Sequence, residues 1–316
     1  MIGVRVRFRK SHQMKLKACL TILFLGAFLA FGSAAEPPAS QAAPAEKKEA
    51  KPFSVVVTGS GRPMILIPGL SCGGNVWDGT VARFKDHYEC HVVTLAGFAG
   101  QPAIGEPFLE KVRDALLKYI QEKRLARPVV VGHSLGAFMA LWLGATSPEL
   151  VGPIIAVDGM PYYPALMNRT TTPQSAKAQA EGLRSMFQAQ TPEQFAFSQR
   201  AFLGGMITDP KGVEKVAESA TKSDPKAVAQ AFYEIMTIDL RPKVEAIRTS
   251  VLVIGATASV PDPERRKQTE ENYRAQVAKI PKHRVVFAPK SRHFIQLDEP
   301  EFFIQEVQAF LKEMEP

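Results

Sequence analysis

The pentapeptide Gly132-His133-Ser134-Leu135-Gly136 constrains the fold more than any other part of the chain. It directly follows an apolar run, residues 128–131, that predicts a buried strand, and the small or apolar residues 137–141 after it predict a helix. Ser134 therefore stands at a sharp strand-to-helix corner, where the backbone is strained and the hydroxyl points out from the sheet edge. The flanking glycines allow strand and helix to approach closely, and the helix N-terminus offers unpaired N–H groups. This arrangement suits a nucleophile that attacks acyl groups.

Short apolar strands alternate with helical segments along most of the chain. This pattern predicts an α/β fold, in which a mostly parallel sheet is covered by helices on both faces. The predicted strands are residues 53–58, 63–68, 91–95, 129–131, 153–157, 251–254 and 284–287.

The pattern changes between residues 160 and 248, which contain helical periodicity and no good strand. The insertion begins just beyond Asp158, at the sheet edge where ligands bind in such folds. We therefore expect a helical lid over Ser134. The predicted helices are residues 172–188, 192–204, 210–221 and 225–235.

The N-terminus has the pattern of an export signal. Residues 1–35 combine a basic start, an apolar run over 18–31 and small residues that end at Ala35. We expect a cleaved signal peptide over 1–35, with an uncleaved membrane anchor as the alternative. Residues 36–52 are rich in Pro, Ala, Glu and Lys and predict a disordered linker, so the folded domain spans 53–316. The protein is then periplasmic or secreted.

Export changes the meaning of the net charge of +8. Residues 1–35 hold six of the 39 basic residues and none of the 31 acidic ones. The remainder of the chain therefore has 33 basic and 31 acidic residues, a net charge of +2. The basicity therefore gives no support to nucleic-acid binding. After signal removal we expect no stable membrane span, because no later stretch is long and apolar enough.

Cys72 and Cys90 are the cysteines that remain after residue 35. A disulfide is conceivable in an exported protein. The predicted topology places them about a strand length apart, roughly 17–20 Å, whereas a bridge needs Cα atoms within about 7 Å. We expect both thiols to be free unless the loop after Gly69 folds back.

A serine nucleophile needs a base, and five histidines follow residue 35. His293 lies just beyond the carboxyl end of the last predicted strand, on the edge that carries Ser134. We interpret it as the base, because the others enter strands from the opposite end or, like His133, point away from the serine by strand alternation. These others are His87, His91, His133 and His283.

Three segments together resemble the α/β-hydrolase superfamily, over about residues 63–310. They are Ile67-Pro68-Gly69-Leu70, the pentapeptide around Ser134, and His293-Phe294-Ile295-Gln296-Leu297-Asp298-Glu299-Pro300. The resemblance implies a Ser-Asp-His chain order and an oxyanion hole made by the backbone N–H groups of Leu135 and Leu70.

The acid of the triad departs from the family pattern. Ala258 stands about where the resemblance places an acid after the strand 251–254. Asp158, which follows the strand 153–157, is our preferred acid, since some family members carry theirs there. Asp262 is the second candidate, if its loop bends at Pro261. The remaining alternatives are Asp239 from the lid or no acid at all.

The resemblance thus implies a serine hydrolase that cleaves a small-molecule ester through an acyl-serine intermediate, with no cofactor and no metal. Thioester, amide or carbon–carbon bond hydrolysis at the same site is an alternative, as is a catalytically silent binding protein. Several apolar and aromatic side chains suggest an apolar pocket for the acyl or alcohol group. The candidates are Leu70, Trp77, Phe98, Phe138, Met160, Tyr162 and Tyr163.

Overall fold

The computed structural model describes residues 50–314, which belong to one compact unit. The expected signal peptide (1–35) and most of the expected linker (36–52) lie outside the described residues. The strands in the described part are β1 Phe53–Thr58, β2 Arg62–Ile67, β3 Tyr88–Leu95, β4 Val129–His133, β5 Ile154–Val157, β6 Val251–Ala256 and β7 His283–Ala288.

Helices connect the strands, and each predicted helix is present with ends shifted by no more than about a turn. The chain also makes short 3-10 helices, one of which, Gly74–Trp77, leads into the first α-helix. The α-helices are α1 Asp78–Phe84, α2 Phe108–Glu122, α3 Leu135–Thr146, α4 Pro173–Gln188, α5 Pro192–Met206, α6 Pro210–Ala220, α7 Pro225–Thr237, α8 Pro263–Val277, α9 Ile295–Asp298 and α10 Pro300–Lys312.

The seven strands form one sheet in the order β1-β3-β2-β4-β5-β6-β7. β1 pairs antiparallel with β3, and every other pair is parallel. The carboxyl ends of β2, β4, β5, β6 and β7 therefore open at one edge of the sheet. This topology brings loops from distant parts of the sequence together at that edge.

The sheet is buried on both faces, as its apolar strands predict. Val130 of β4 packs in one hydrophobic core with side chains of α2, α3 and α8. Its neighbours Val129 and Val131 pack in a second core with α1 and α10. Because side chains alternate across a strand, these two cores lie on opposite faces. The predicted α/β fold with helices on both faces is confirmed.

Helices α4 to α7 all lie between β5 and β6, as the periodicity of residues 160–248 predicts. Each begins with a proline at its first position, where the missing N–H costs nothing. A side-chain oxygen just before each proline accepts a backbone N–H of the first turn. The capping residues are Thr172, Thr191, Asp209 and Asp224.

A buried carboxylate fastens this insertion to the rest of the fold. Glu234 of α7 accepts hydrogen bonds from the N–H groups of Phe108 (2.7 Å) and Leu109 (2.6 Å) at the start of α2. Its Oε1 also accepts from Gln230 (2.7 Å). A negative charge at a helix N-terminus is favourable, because it satisfies donors that have no partner within the helix.

Candidate active site

Ser134 occupies the corner between β4 and α3 with φ +56°, a left-handed conformation that is rare for non-glycine residues. A Cβ on Gly132 would lie 2.0 Å from the carbonyl oxygen of Gly136, and one on Gly136 would lie 2.1 Å from that of Ile67. Both positions therefore require glycine because of close backbone approach. The Ser134 N–H is held by the carbonyl of Val157 (2.8 Å). The corner is thus fixed by β4, β2 and β5 together.

His293 and Asp158 meet at the same edge, 135 positions apart in sequence. His293 follows β7, and its Nδ1 lies 2.6 Å from Oδ2 of Asp158, which follows β5. A carboxylate only accepts, so Nδ1 carries the proton and donates it. Nε2 of His293 is then left as the acceptor that a general base requires.

The second oxygen of Asp158 is held by two further donors. Oδ1 accepts from the N–H of Ala256 (2.8 Å) and from the hydroxyl of Tyr273 (2.7 Å). Burial, and next the charge of Asp158, raise the pKa of Tyr273 well above its ordinary value, so the hydroxyl stays protonated and donates. Three donors therefore orient a nearly buried carboxylate.

Neither Tyr273 nor the N–H of Ala256 was predicted to contact the triad acid. Tyr273 lies on α8, whose sequence is otherwise strongly charged. A single buried aromatic residue among charged ones was a weak signal that this helix faces the sheet.

The other two candidate acids lie elsewhere. Asp262 caps the start of α8 by accepting from the N–H of Arg265 (2.9 Å), and its side chain is exposed. Asp239 forms an ion pair with Arg241 (2.7 Å). Among the three carboxylates proposed from the sequence, the structure brings Asp158 to His293.

Ser134 and His293 line the same cavity. Within residues 50–314, neither Oγ of Ser134 nor Nε2 of His293 makes a hydrogen bond, so both remain available to a substrate. Such contacts are often long in an enzyme without substrate and tighten in its complex.

Leu70 and Leu135 are the residues whose backbone N–H groups were expected to form the oxyanion hole. Leu135 is the first residue of α3, where N–H groups have no partner within the helix. Leu70 follows β2, beside β4. In the described part of the chain, neither N–H has a hydrogen-bond acceptor. Both residues line the cavity with Ser134.

His133 has a place in the site that strand alternation did not predict. Its Nε2 donates to the backbone carbonyl of His293 (3.0 Å), and the two rings lie 4.7 Å apart. Burial, and secondly the nearby His293, hold the pKa of His133 well below its ordinary value. The neutral ring therefore supports the loop that carries His293.

The cavity of about 310 Å³ has a largely apolar wall. Four of the seven predicted wall residues line it, namely Leu70, Phe138, Met160 and Tyr163. The other three, Trp77, Phe98 and Tyr162, are buried in the core instead.

Cys72 also lines the cavity, but burial raises the pKa of its thiol to about 12. At neutral pH it is therefore a thiol and a poor nucleophile. Both Cys72 and Cys90 are buried and free, which confirms the prediction that they form no disulfide.

A family model described as the alpha/beta hydrolase family matches residues 64–306 of this chain. The chain belongs to the alpha/beta hydrolase family. Pimeloyl-[acyl-carrier protein] methyl ester esterase from Aliivibrio fischeri (strain MJ11) is 28% identical over 194 residues, which cover 61% of this chain and 74% of that esterase. The enzyme of the same description from Aeromonas hydrophila is 25% identical over 267 residues, which cover 82% of this chain and 98% of the relative.

Solved structures of alpha/beta hydrolases share this fold. An enol-lactonase from Burkholderia xenovorans LB400 superposes with a TM-score of 0.66 at 18% identity, over 82% of this chain and 96% of that one. A thermophilic esterase from Thermogutta terrifontis superposes with a TM-score of 0.65 at 19% identity, over 83% and 93%. The family and the esterases among its relatives identify this alpha/beta hydrolase as an enzyme.

Proposed function

We propose that the protein hydrolyses carboxylic esters through an acyl-serine intermediate formed on Ser134. The observation that carries the proposal is the 2.6 Å hydrogen bond between His293 and Asp158 at the cavity that Ser134 lines. The ester-cleaving relatives support it.

In the first half-reaction, Oγ of Ser134 attacks the ester carbonyl carbon while Nε2 of His293 takes the hydroxyl proton. The negative charge that develops on the carbonyl oxygen is bound by the N–H groups of Leu70 and Leu135. Each such donor lowers the activation free energy by about 3–4 kcal/mol. The C–O bond to the alcohol then breaks, and His293 returns its proton to the departing oxygen.

In the second half-reaction, a water molecule gives a proton to His293 and attacks the acyl carbon. The bond to Ser134 breaks, Oγ regains the proton, and the carboxylic acid leaves. In both half-reactions Asp158 holds Nδ1–H and stabilises the imidazolium form.

The apolar cavity wall favours an ester with an apolar acyl chain, and the methyl esters named for the relatives favour a small alcohol. Helices α5 and α7 contribute Leu203, Met206, Phe232 and Ile235 to this wall. These contacts support the proposal that the insertion over residues 160–248 is a lid.

Hydrolysis of p-nitrophenyl esters of increasing acyl length tests the reaction class. We expect turnover of at least one short or medium chain, and its loss in Ser134→Ala. Turnover of thioesters, amides or carbon–carbon substrates without any ester would instead support the related acyl chemistries. Binding with no turnover at all would support a silent binding protein.

Export to the periplasm or medium is also a proposal, supported by the pattern of residues 1–35 and the near-neutral charge of the remainder. Mass analysis of the protein from cell fractions tests it. We expect an N-terminus at about residue 36 in the exported fraction, and an intact N-terminus in the cytoplasm would contradict it. A small-molecule ester, with no nucleic acid, is the proposed partner.

A further inference from the structure

The part of the cavity wall that the insertion supplies is mostly apolar; among the residues that line it, Gln199 of α5 carries an amide and Tyr163 a phenol hydroxyl. Neighbouring insertion residues present hydrocarbon or aromatic surface. An amide in such a wall is costly unless its polar atoms are paired, at about 1–3 kcal/mol for each group left unsatisfied. The apolar side chains of this wall include Leu166, Phe202, Leu203, Met206, Phe232 and Ile235.

One end of the Gln199 amide is paired. The side chain is 6% exposed, and its Oε1 accepts from the hydroxyl of Ser71 at 2.8 Å. Its Nε2 makes no hydrogen bond with any residue of the described chain. In this orientation Oε1 accepts the Ser71 proton, and the N–H₂ group is left as a free donor.

Ser71 is a rigid partner. It has φ +58° and is 3% exposed. Its backbone carbonyl accepts from the hydroxyl of Ser223 (2.8 Å), which in turn accepts from the N–H of Ala99 (2.8 Å). The Gln199 amide is therefore fixed before any substrate arrives, and a prearranged donor binds with a smaller entropy loss.

Ser71 also directly follows Leu70, whose N–H is proposed to bind the ester carbonyl oxygen. Gln199 thus lies beside the loop that holds the acyl group. A free amide N–H₂ at this place matches an oxygen acceptor on the acyl chain, such as a ketone or second carboxyl oxygen.

We propose that Gln199 is a specificity-determining residue that selects esters whose acyl chain carries a second oxygen acceptor. This inference rests on the proposed ester hydrolysis and deepens it. One neutral hydrogen bond gives about a 3- to 10-fold preference.

The test compares kcat/KM for matched p-nitrophenyl esters: pentanoate with 4-oxopentanoate, and hexanoate with 5-oxohexanoate. We expect the wild type to prefer at least one oxo ester about 3- to 10-fold over its alkyl match. Gln199→Met and Gln199→Glu both remove the donor, and Glu retains the acceptor for Ser71. Both variants are expected to bring the ratio close to one.

Gln188→Met is the matched control, since Gln188 is exposed at the end of α4. It is expected to keep the wild-type ratio. A wild type with no preference for any oxo ester overturns the inference, and so does a ratio unchanged in Gln199→Glu. Absence of Ser134-dependent turnover of the plain alkyl esters is a different result, which contradicts the proposed function and this inference with it.

Discussion

Asp158→Asn is expected to inactivate the enzyme by fixing the wrong tautomer of His293. The N–H of Ala256 and the hydroxyl of Tyr273 both donate to Oδ1 of Asp158. An asparagine must therefore keep its carbonyl oxygen at that position and turn its N–H₂ group towards Nδ1 of His293. Two donors cannot face each other, so Nδ1 loses its proton and Nε2 carries it. Nε2 can then no longer accept the proton of Ser134.

A wrong tautomer at a Ser-His-Asp triad lowers kcat by about 10⁴, with geometry and binding largely retained. We therefore expect kcat for the best p-nitrophenyl ester to fall by about that factor in Asp158→Asn and KM to change little. Steady-state kinetics measure both, and circular dichroism confirms that the variant is folded.

Asp262→Asn is the matched control, because the same chemical change falls on the rejected candidate. Asp262 caps α8, and asparagine caps a helix about as well as aspartate. Its kcat and KM are expected to equal those of the wild type. A loss of less than about tenfold in kcat for Asp158→Asn would show that Asp158 does not set the tautomer of His293, and so would an equal loss of kcat in Asp262→Asn.

Three further outcomes follow from buried hydrogen bonds. Tyr273→Phe removes one donor from Asp158 and is expected to lower the free energy of unfolding in urea by about 1.5–3 kcal/mol. Its kcat is expected to fall by less than that of Asp158→Asn. Unchanged stability and kcat would contradict this role of Tyr273. Glu234→Gln weakens the hydrogen bonds to the N-terminus of α2 and is expected to lower the free energy of unfolding by about 1.5–3 kcal/mol in the same assay. An unchanged free energy of unfolding would show that the carboxylate does not stabilise the fold. His133 is neutral in the fold because its pKa lies well below 6.5, so its contribution to stability is full above pH 6.5 and declines as the pH falls towards its lowered value. The free energy of unfolding is therefore expected to fall less in His133→Gln than in the wild type when the pH is lowered from 7 to 5. Equal falls in the two proteins would contradict this role of His133.

The fold and two of the site's side chains were predictable because each depends on local pattern. The glycines around Ser134 and the apolar strands follow from close approach and burial, which the sequence expresses directly. The place of His293 follows from topology, since a loop after the last parallel strand opens at the edge where Ser134 lies.

The remaining contacts depend on tertiary packing that sequence patterns do not express. The choice between Asp158 and Asp262 needed the direction of two loops, and the role of Tyr273 needed the rotation of α8 against the sheet. Gln199 pairs with Ser71 across 128 positions, so no local pattern relates them. Residues of the insertion are placed by contacts with the loop that contains Ser71, which their own periodicity cannot specify.

The proposed reaction requires Ser134 to be a nucleophile activated by His293. The most direct measurement is peptide mass mapping of the full chain after reaction with a fluorophosphonate, which bonds to activated serines. We predict one adduct, on the peptide that contains Ser134, lost in Ser134→Ala and formed far more slowly in His293→Gln. An adduct on another residue, or equal labelling rates in wild type and His293→Gln, would contradict the account.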